Sequence, residues 1–505
     1  MEKSQIIQVN TNHFLAYGDI DELNRIIHEG ESLEEAWARV SKEYAYLPAI
    51  SDGGEYTYAR LAEDVAAFRG ALALHGVQKG DCVGILIPNS YAFVKAFLAV
   101  TTLGAVAVLL PPHLNEKSVY GIAAKYAFKA LVYDEPTAEK VTLAGTLSLK
   151  LVKADEAKDP LPSVPCSLTD PCAVLFTGGT TGKSKGALLS HGAIMRGTVN
   201  GCYGYPGIEN ERYLLVLPLT HVFGLIRNLL TSLYTGSLLH ICRNPKDMFR
   251  EMAVFKPTTL VLVPALAEMG INLSKQLKAG ANLFGGELRH IISGASNVPQ
   301  HLINEYHEIG ITLLAGYGLT ESANLVSGNP IPLEKPHSVG LPYPKQSLRL
   351  VDGELWIKGD NLMTCYLNEE EENKTAFEDG WFKTGDLVRV DEDGFLYIVG
   401  RIKEVIVLES GEKVSPAELE VSFCAPDYIN DAEVFEEVSD KGRQILTLEV
   451  VLRPGYHISK EQVIQEMNAI NQTLPSHARV SKIVVRDEDF PRSPSMKKIR
   501  RVFSR

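Results

Sequence analysis

Apolar and polar positions along the chain fall into blocks of two periods. In TYARLAEDVAAFRGALALHG (57–76) apolar residues recur every three to four positions, which predicts a helix, and Gly76 is placed to end it. Upstream, SLEEAWARV (32–40) carries a capping box, with Ser32 as N-cap and Glu35 three residues on. The run DCVGILIPN (81–89) is continuously apolar and reads as a buried strand. A helical stretch (SYAFVKAFLAVTTLG, 90–104) and two more strand-like runs, AVAVLLPP (105–112) and KALVYD (129–134), follow. Strands alternating with helices predict a mostly parallel sheet with helices on its faces. The alternation resumes in TTLVLVP (258–264), LRHIISGAS (288–296) and ITLLAGYG (311–318), apolar runs that end in turns. In open α/β sheets ligands sit beyond the carboxyl ends of the strands.

From about residue 345 the pattern shortens. SLRLVDGELWIKGD (347–360) and GFLYIVGR (394–401) read as short antiparallel strands. After GRIKE comes a compact stretch of mixed character, with AELEVSFCA (417–425) as helix and ILTLEVVL (445–452) as strand. A boundary is therefore expected near 400–404. Residues 1–30 lack strong periodicity and read as an extension.

Composition narrows the class. The 505 residues exceed what one core usually organises, so more than one domain is expected. The formal net charge of −12 disfavours nucleic acid as a partner of the whole chain, although the tail KKIRRVFSR (497–505) is locally basic. Seven scattered cysteines with no C-x-x-C favour a reducing compartment over a disulfide framework. No stretch is long and apolar enough to be an integral membrane segment, and a cytoplasmic location is the default expectation.

Candidate chemistry begins at FTGGTTGKSKG (176–186), where glycines, hydroxyls and lysines have the composition of a phosphate cradle. A Walker loop requires G-x-x-x-x-G-K-[ST]. Gly182, Lys183 and Ser184 supply its ending, but Thr177 stands where the first glycine belongs. The loop resembles instead the phosphate loop of the adenylate-forming superfamily, [YF]-T-[SG]-G-T-T-G-x-[PS]-K-G. Further segments continue the resemblance in order: LPLTHVFG (217–224), ISGAS (292–296), GYGLTES (316–322), WFKTGDL (381–387), GRIKE (400–404) and PRSPSMKK (491–498).

That resemblance implies a fold, a reaction and a set of sites. The fold would be α/β: a large N-terminal domain of stacked α/β sheets with a β-rich subdomain over residues 31–400, a hinge at 401–404 and a small mobile α+β C-terminal domain over 405–505. Thr177, Gly178, Gly179, Thr180, Thr181, Gly182 and Lys185 would hold the ATP phosphates. Gly294, Ala295, Tyr317 and Gly318 would border adenine. Asp386 would contact ribose, a carboxylate being able to accept both hydroxyls of a cis-diol, and Arg401 would contact ribose or phosphate. Thr320 and Glu321 would meet the α-phosphate and Mg²⁺, His221 would border the acyl group, and Lys497 would be the catalytic lysine. Lys403 would be the pivot and Gly411 would let coenzyme A pass.

The implied reaction is ATP-dependent activation of a carboxylic acid as its adenylate, then transfer to a thiol. No aspartate stands in HVFGLIRN to pair an α-ammonium group, which disfavours amino acids. The motif variants favour a fatty acid, with an aryl or arylalkanoic acid second. Coenzyme A is the expected acceptor, an acyl carrier protein the alternative. A phosphotransferase with a Walker loop, oxygen-dependent luciferase chemistry and an inactive nucleotide-binding protein are the competing readings.

Overall fold

The computed structural model describes residues 6–9, 17, 19–146, 149–177, 184–203, 205, 207–408, 412–438, 444–453, 455–456, 458–492 and 498–501. Contacts divide the chain into two compact units. The larger comprises Asn10–Leu348 and Ile357–Phe382, the smaller Met1–Val9, Arg349–Trp356 and Lys383–Arg505.

Two sheets organise the larger unit. The first has the order Lys150–Lys153, Ala130–Tyr133, Cys82–Leu86, Val106–Leu109, Pro171–Phe176, Gly186–Ser190 and Cys365–Tyr366. Its first five strands are parallel and the last two pairings antiparallel. The apolar runs at 81–89, 105–112 and 129–134 are its central strands, fully buried at Leu86, Val108 and Leu131. The second sheet has a parallel centre of Thr312–Tyr317, His290–Ser293, Thr259–Leu262, Arg212–Leu215, Leu238–Ile241 and Pro48–Ser51.

Helix ends follow the local sequence. Ser32 Oγ accepts from Glu35 N at 3.2 Å while the Glu35 carboxylate accepts from Ser32 N at 2.8 Å, closing the capping box. The helix Tyr58–Leu74 stops as expected at Gly76, which has φ of +80° and sends its N–H to Ala73 O. Residues 20–26, which lack a clear period, nevertheless form a helix. Glu22 on it accepts from Gly207 N and Ile208 N, so long-range hydrogen bonds hold what pattern alone does not mark.

The smaller unit carries the antiparallel pairing of residues 386–390 with Leu396–Arg401. A three-stranded sheet, Ile429–Val438, Gln444–Leu452 and Lys482–Arg486, packs against the helices Pro416–Phe423 and Lys460–Thr473 around Phe423, Leu448, Val463 and Met467. Arg349–Trp356 and Lys383–Arg401 group with residues 405–505 by contact. Ser415 Oγ donates to Val399 O, and a Cβ on Gly400 would lie 2.3 Å from Ser415 Oγ, so this junction is close-packed. Among the described residues no helix is long and apolar enough to cross a membrane, and all seven cysteines are free.

Candidate active site

The glycine-rich loop joins two antiparallel strands, Pro171–Phe176 and Gly186–Ser190, whose last pairing is Phe176 with Gly186. A Walker loop passes from a strand directly into a helix. Here the loop is followed by a strand antiparallel to the one before it, and the helix His191–Asn200 begins only after that strand. The topology therefore excludes the phosphotransferase reading of the Gly182-Lys183-Ser184 ending. Thr177 N donates to Lys185 O at 2.9 Å and Ser184 Oγ to Thr177 O at 2.7 Å, closing the base of the loop. Gly178, Gly179, Thr180, Thr181 and Gly182 lie outside the described residues, as do Gly411 and Lys497.

Lys185 is brought to a second motif by a residue that sequence reasoning missed. Its ammonium stands 5.1 Å over the ring of Tyr366 and pairs with Glu372. The Tyr366 hydroxyl donates to Glu321 Oε1 at 2.7 Å. Burial first, and the Glu321 carboxylate second, push the Tyr366 phenol above its ordinary range, so it stays a proton donor at neutral pH. Tyr366 is far from both motifs in sequence. Its strand pairs with Gly186–Ser190 through Tyr366 opposite Ala187, which sets the ring beside Lys185. No local pattern in the sequence signals this.

The turn that carries Thr320 and Glu321 is held from three sides. Met363 N donates to Glu321 O at 2.7 Å, and buried Asn361 donates to Ser322 O at 3.2 Å and Leu325 O at 3.3 Å. A Cβ on Gly197 would lie 2.2 Å from Ala323 O, so the helix glycine admits the turn. A Cβ on Gly318 would lie 1.1 Å from Asn324 O, which makes glycine obligatory there. Asn324 N closes the turn on Leu319 O at 2.9 Å. Ala295 (φ +69°) and Ala323 (φ +48°) both take left-handed backbone, a strain that tends to gather at functional turns.

Tyr317 ends the strand Thr312–Tyr317, and Gly294 follows the neighbouring strand His290–Ser293. The two strand ends touch: a Cβ on Gly294 would stand 3.0 Å from Gly316 O and 3.8 Å from Phe223 Cζ. Phe223 opens a π-helix, Phe223–Leu230, two residues after His221. Such widened turns are uncommon and concentrate at functional sites. Asn89 fixes the approach to it, accepting from Leu219 N at 2.9 Å and donating to Leu217 O at 2.8 Å.

Asp386 and Arg401 lie together in the smaller unit. They are opposite each other across two strands, with Arg401 Nε 2.7 Å from Asp386 Oδ1. The Asp386 side chain is 2% exposed and that of Arg401 45%. Asp386 N donates to Thr384 Oγ1 and Gly385 N to Glu354 Oε1, fixing this corner. Lys403 is exposed on a short 3-10 turn, Ile402–Glu404.

Among the described residues, the basic side chains of the tail are paired. Lys498 Nζ donates to Asp431 Oδ1 at 2.8 Å and Ala432 O at 2.6 Å. Arg500 grips Glu420 with two bonds of 2.8 and 2.6 Å, and Arg501 grips Glu449 with two of 2.8 Å. Lys498 is thus committed to the interior of its unit, and its backbone pairs with Arg492.

Glu321 offers oxygen to a hard cation. Among the described residues no group of three or more His, Cys, Asp or Glu could enclose a metal. One carboxylate suffices where phosphates and water supply the other ligands, the usual arrangement for Mg²⁺.

Comparison with known proteins bears on the family and the fold. The family described as AMP-binding enzyme matches residues 33–367, and its C-terminal domain matches residues 403–505. A feruloyl-CoA synthase of Amycolatopsis sp is 31% identical, over 74% of this chain and 79% of its own length. The long-chain-fatty-acid–CoA ligase FadD13 of Mycobacterium tuberculosis is 28% identical over 91% of this chain and 94% of its own. The crystal structure of the anthranilate CoA ligase AuaEII with anthranoyl-AMP superposes with a TM-score of 0.83, at 21% identity, over 94% of this chain and 96% of that one.

Proposed function

The chain belongs to the AMP-binding enzymes and is an acid–thiol ligase of the AMP-forming CoA ligase type; on that footing we propose which residues act and on what. The observation that carries the reading is the Lys185–Tyr366–Glu321 contact, which joins the phosphate loop to the turn expected to face the α-phosphate. A carboxylate is a poor acyl donor until oxygen is converted into a better leaving group. Its attack on the α-phosphorus of ATP forms the acyl–phosphate bond and breaks the bond to pyrophosphate. The thiol of coenzyme A then attacks the acyl carbon and AMP leaves.

In this reading Lys185, with Thr177 and Thr181, steadies the departing pyrophosphate, and Glu321 holds Mg²⁺, which offsets phosphate charge. Tyr366 orients the Glu321 carboxylate. Tyr317 stacks on adenine, and Thr320 bonds the α-phosphate. Asp386 and Arg401 take the ribose. Lys497 neutralises the approach of carboxylate to phosphate, a role supported by the engagement of its neighbour Lys498 elsewhere. Lys403 serves as pivot and Gly411 as the pantetheine passage. Residues that pack together in one arrangement need not be those that rotate together, so the pivot need not lie at the edge of the smaller unit.

The acid is a medium- or long-chain fatty acid, consistent with the motif variants and with FadD13. The aryl or arylalkanoic reading is favoured by the feruloyl-CoA synthase relative and by Phe223 standing over Gly294. The test is carboxylate-dependent exchange of labelled pyrophosphate into ATP, with fatty, aryl and amino acids, followed by addition of coenzyme A. Exchange with a subset of fatty or aryl acids and thioester formation on adding coenzyme A are expected. Folded protein that exchanges with none of the acids overturns the reading.

A further inference from the structure

Arg227 is a cation buried without an anion among the described residues. It lies on the π-helix, is 2% exposed, and its hydrogen-bond partner is the Tyr205 hydroxyl, 3.4 Å from Nη2. Nη1 has no partner among the described residues. The polar side chains nearest it in effect are the phenols of Tyr205, Tyr213 and Tyr343. Another buried guanidinium, Arg69, shows the ordinary solution: it donates to Leu161 O at 2.9 Å and Thr102 Oγ1 at 2.8 Å. Buried Glu211 is already taken by Arg289 and Thr259. An arginine does not escape the cost of burial by losing its proton, and that cost is not offset when no counter-ion is present.

The position of this cation follows from the strand beside it. His290, Ile292 and Gly294 alternate onto one face of their strand. At its upper end Gly294 meets Gly316 O and Phe223. At its lower end the His290 ring stacks on Tyr205, centroids 4.3 Å apart. Phe223 and Arg227 are four residues, about one turn, apart on the π-helix; Phe223 lies near Gly294, and Arg227 reaches the Tyr205 that stacks on His290. Four strand residues span roughly 13 Å. The upper end is closely packed, with a Cβ on Gly294 3.0 Å from Gly316 O, and the lower end closes on a guanidinium and on His290 Nδ1, which has no partner among the described residues. Burial first holds the His290 ring down at about 4, so near pH 7 it is neutral and adds no second charge.

We infer that Arg227 reads a second, anionic group at the far end of the acid: the substrate is a dicarboxylic acid, adenylated on one carboxylate and neutralising Arg227 with the other. The inference rests on the adenylation reading above and refines its acid, whether the body is aliphatic or aryl. A charged bidentate partner would satisfy the guanidinium as a methyl group could not. A site built around a polar group also rejects the analogue that lacks it.

The experiment compares three acids of equal length, ending in carboxylate, amide or methyl, by pyrophosphate exchange with the wild type, Arg227→Met and Arg227→Lys. The wild type should prefer the dicarboxylate over the methyl-ended acid by at least about a hundredfold in kcat/KM. Arg227→Met should lose that preference, and Arg227→Lys should keep part of it. A wild type that exchanges equally well with the methyl-ended acid overturns the inference while leaving adenylation standing. No exchange with any acid overturns both. Melting supplies a readout independent of turnover and of the variants' activity. The dicarboxylate alone should raise the wild-type Tm, and Arg227→Met, freed of an unpaired buried charge, should melt no lower than wild type without ligand. Unchanged wild-type melting with the dicarboxylate, under conditions where the methyl-ended acid raises it, counts against the inference even if a variant does not fold.

Discussion

A single hydroxyl links the two halves of the proposed phosphate site. Tyr366→Phe keeps the ring under Lys185 and removes only the bond to Glu321. A hydrogen bond to a charged group contributes on the order of 1.5–3 kcal/mol. The expected outcome is a loss of roughly tenfold to a hundredfold in pyrophosphate exchange, partly recovered at high Mg²⁺; unchanged exchange across a Mg²⁺ titration would remove Tyr366 from the site. The adjacent lysines near the end of the chain separate in the same way. Lys497→Ala should abolish adenylation while thioester formation from preformed adenylate survives. Lys498→Ala breaks the contact with Asp431 and Ala432, so its main expected effect is a lower urea midpoint. Equal damage to both half-reactions by Lys497→Ala would rule out the two-conformation scheme. Lys185, Glu321 and Asp386 could be named from sequence because their motifs are local. Tyr366 and Asn361 could not, since each acts across a strand pairing or a turn contact formed only on folding.

Among elements, the helix His191–Asn200 shows how a scaffold piece controls a site it does not enter. An alanine in a helix interior is usually favoured over glycine by up to about 1 kcal/mol. At Gly197 the added carbon would meet Ala323 O at 2.2 Å, inside the turn that carries Thr320 and Glu321. Overpacking costs about 1–3 kcal/mol, so the clash outweighs the propensity gain. Gly197→Ala should therefore lower the urea midpoint and reduce exchange together; a rise in stability with normal exchange would show that the turn yields freely. Helix limits and central strands were legible from period, caps and Gly76. The π-helix after His221 was not. It needs a widened turn against Pro218, where a Cβ on Gly224 would lie 2.4 Å from the Pro218 carbonyl, and no side-chain period announces it.

For the molecule as a whole, acid sensitivity should begin well above the carboxylate range. His191 is fully buried with neither ring nitrogen partnered among the described residues, and burial first lowers its pKa to about 4; His290 is lowered to about 4 as well. Unfolded histidines titrate near 6.5, so between about 6.5 and 4 the unfolded chain binds more protons. Stability thus falls as pH drops through that window, and these groups add no further loss below about 4. The slope for buried His191 is on the order of 1.4 kcal/mol per pH unit. Urea midpoints at pH 7.5 and 5.5 should differ, and His191→Gln should flatten the difference; an unchanged slope would locate the acid sensitivity elsewhere. At this scale the sequence by itself determined the class of fold, the order of the motifs and the family, because periodicity, caps and contiguous loops are encoded within a few residues. It also made the tail look like a free basic patch, whereas folding commits Lys498, Arg500 and Arg501 to carboxylates. Tertiary structure alone decided which distant residues meet: Tyr366 beneath Lys185, Gly197 beneath Ala323, and Arg227 facing phenols instead of a carboxylate. Such contacts join residues far apart in sequence, and their chemistry depends on what burial takes away from each group as much as on the group itself.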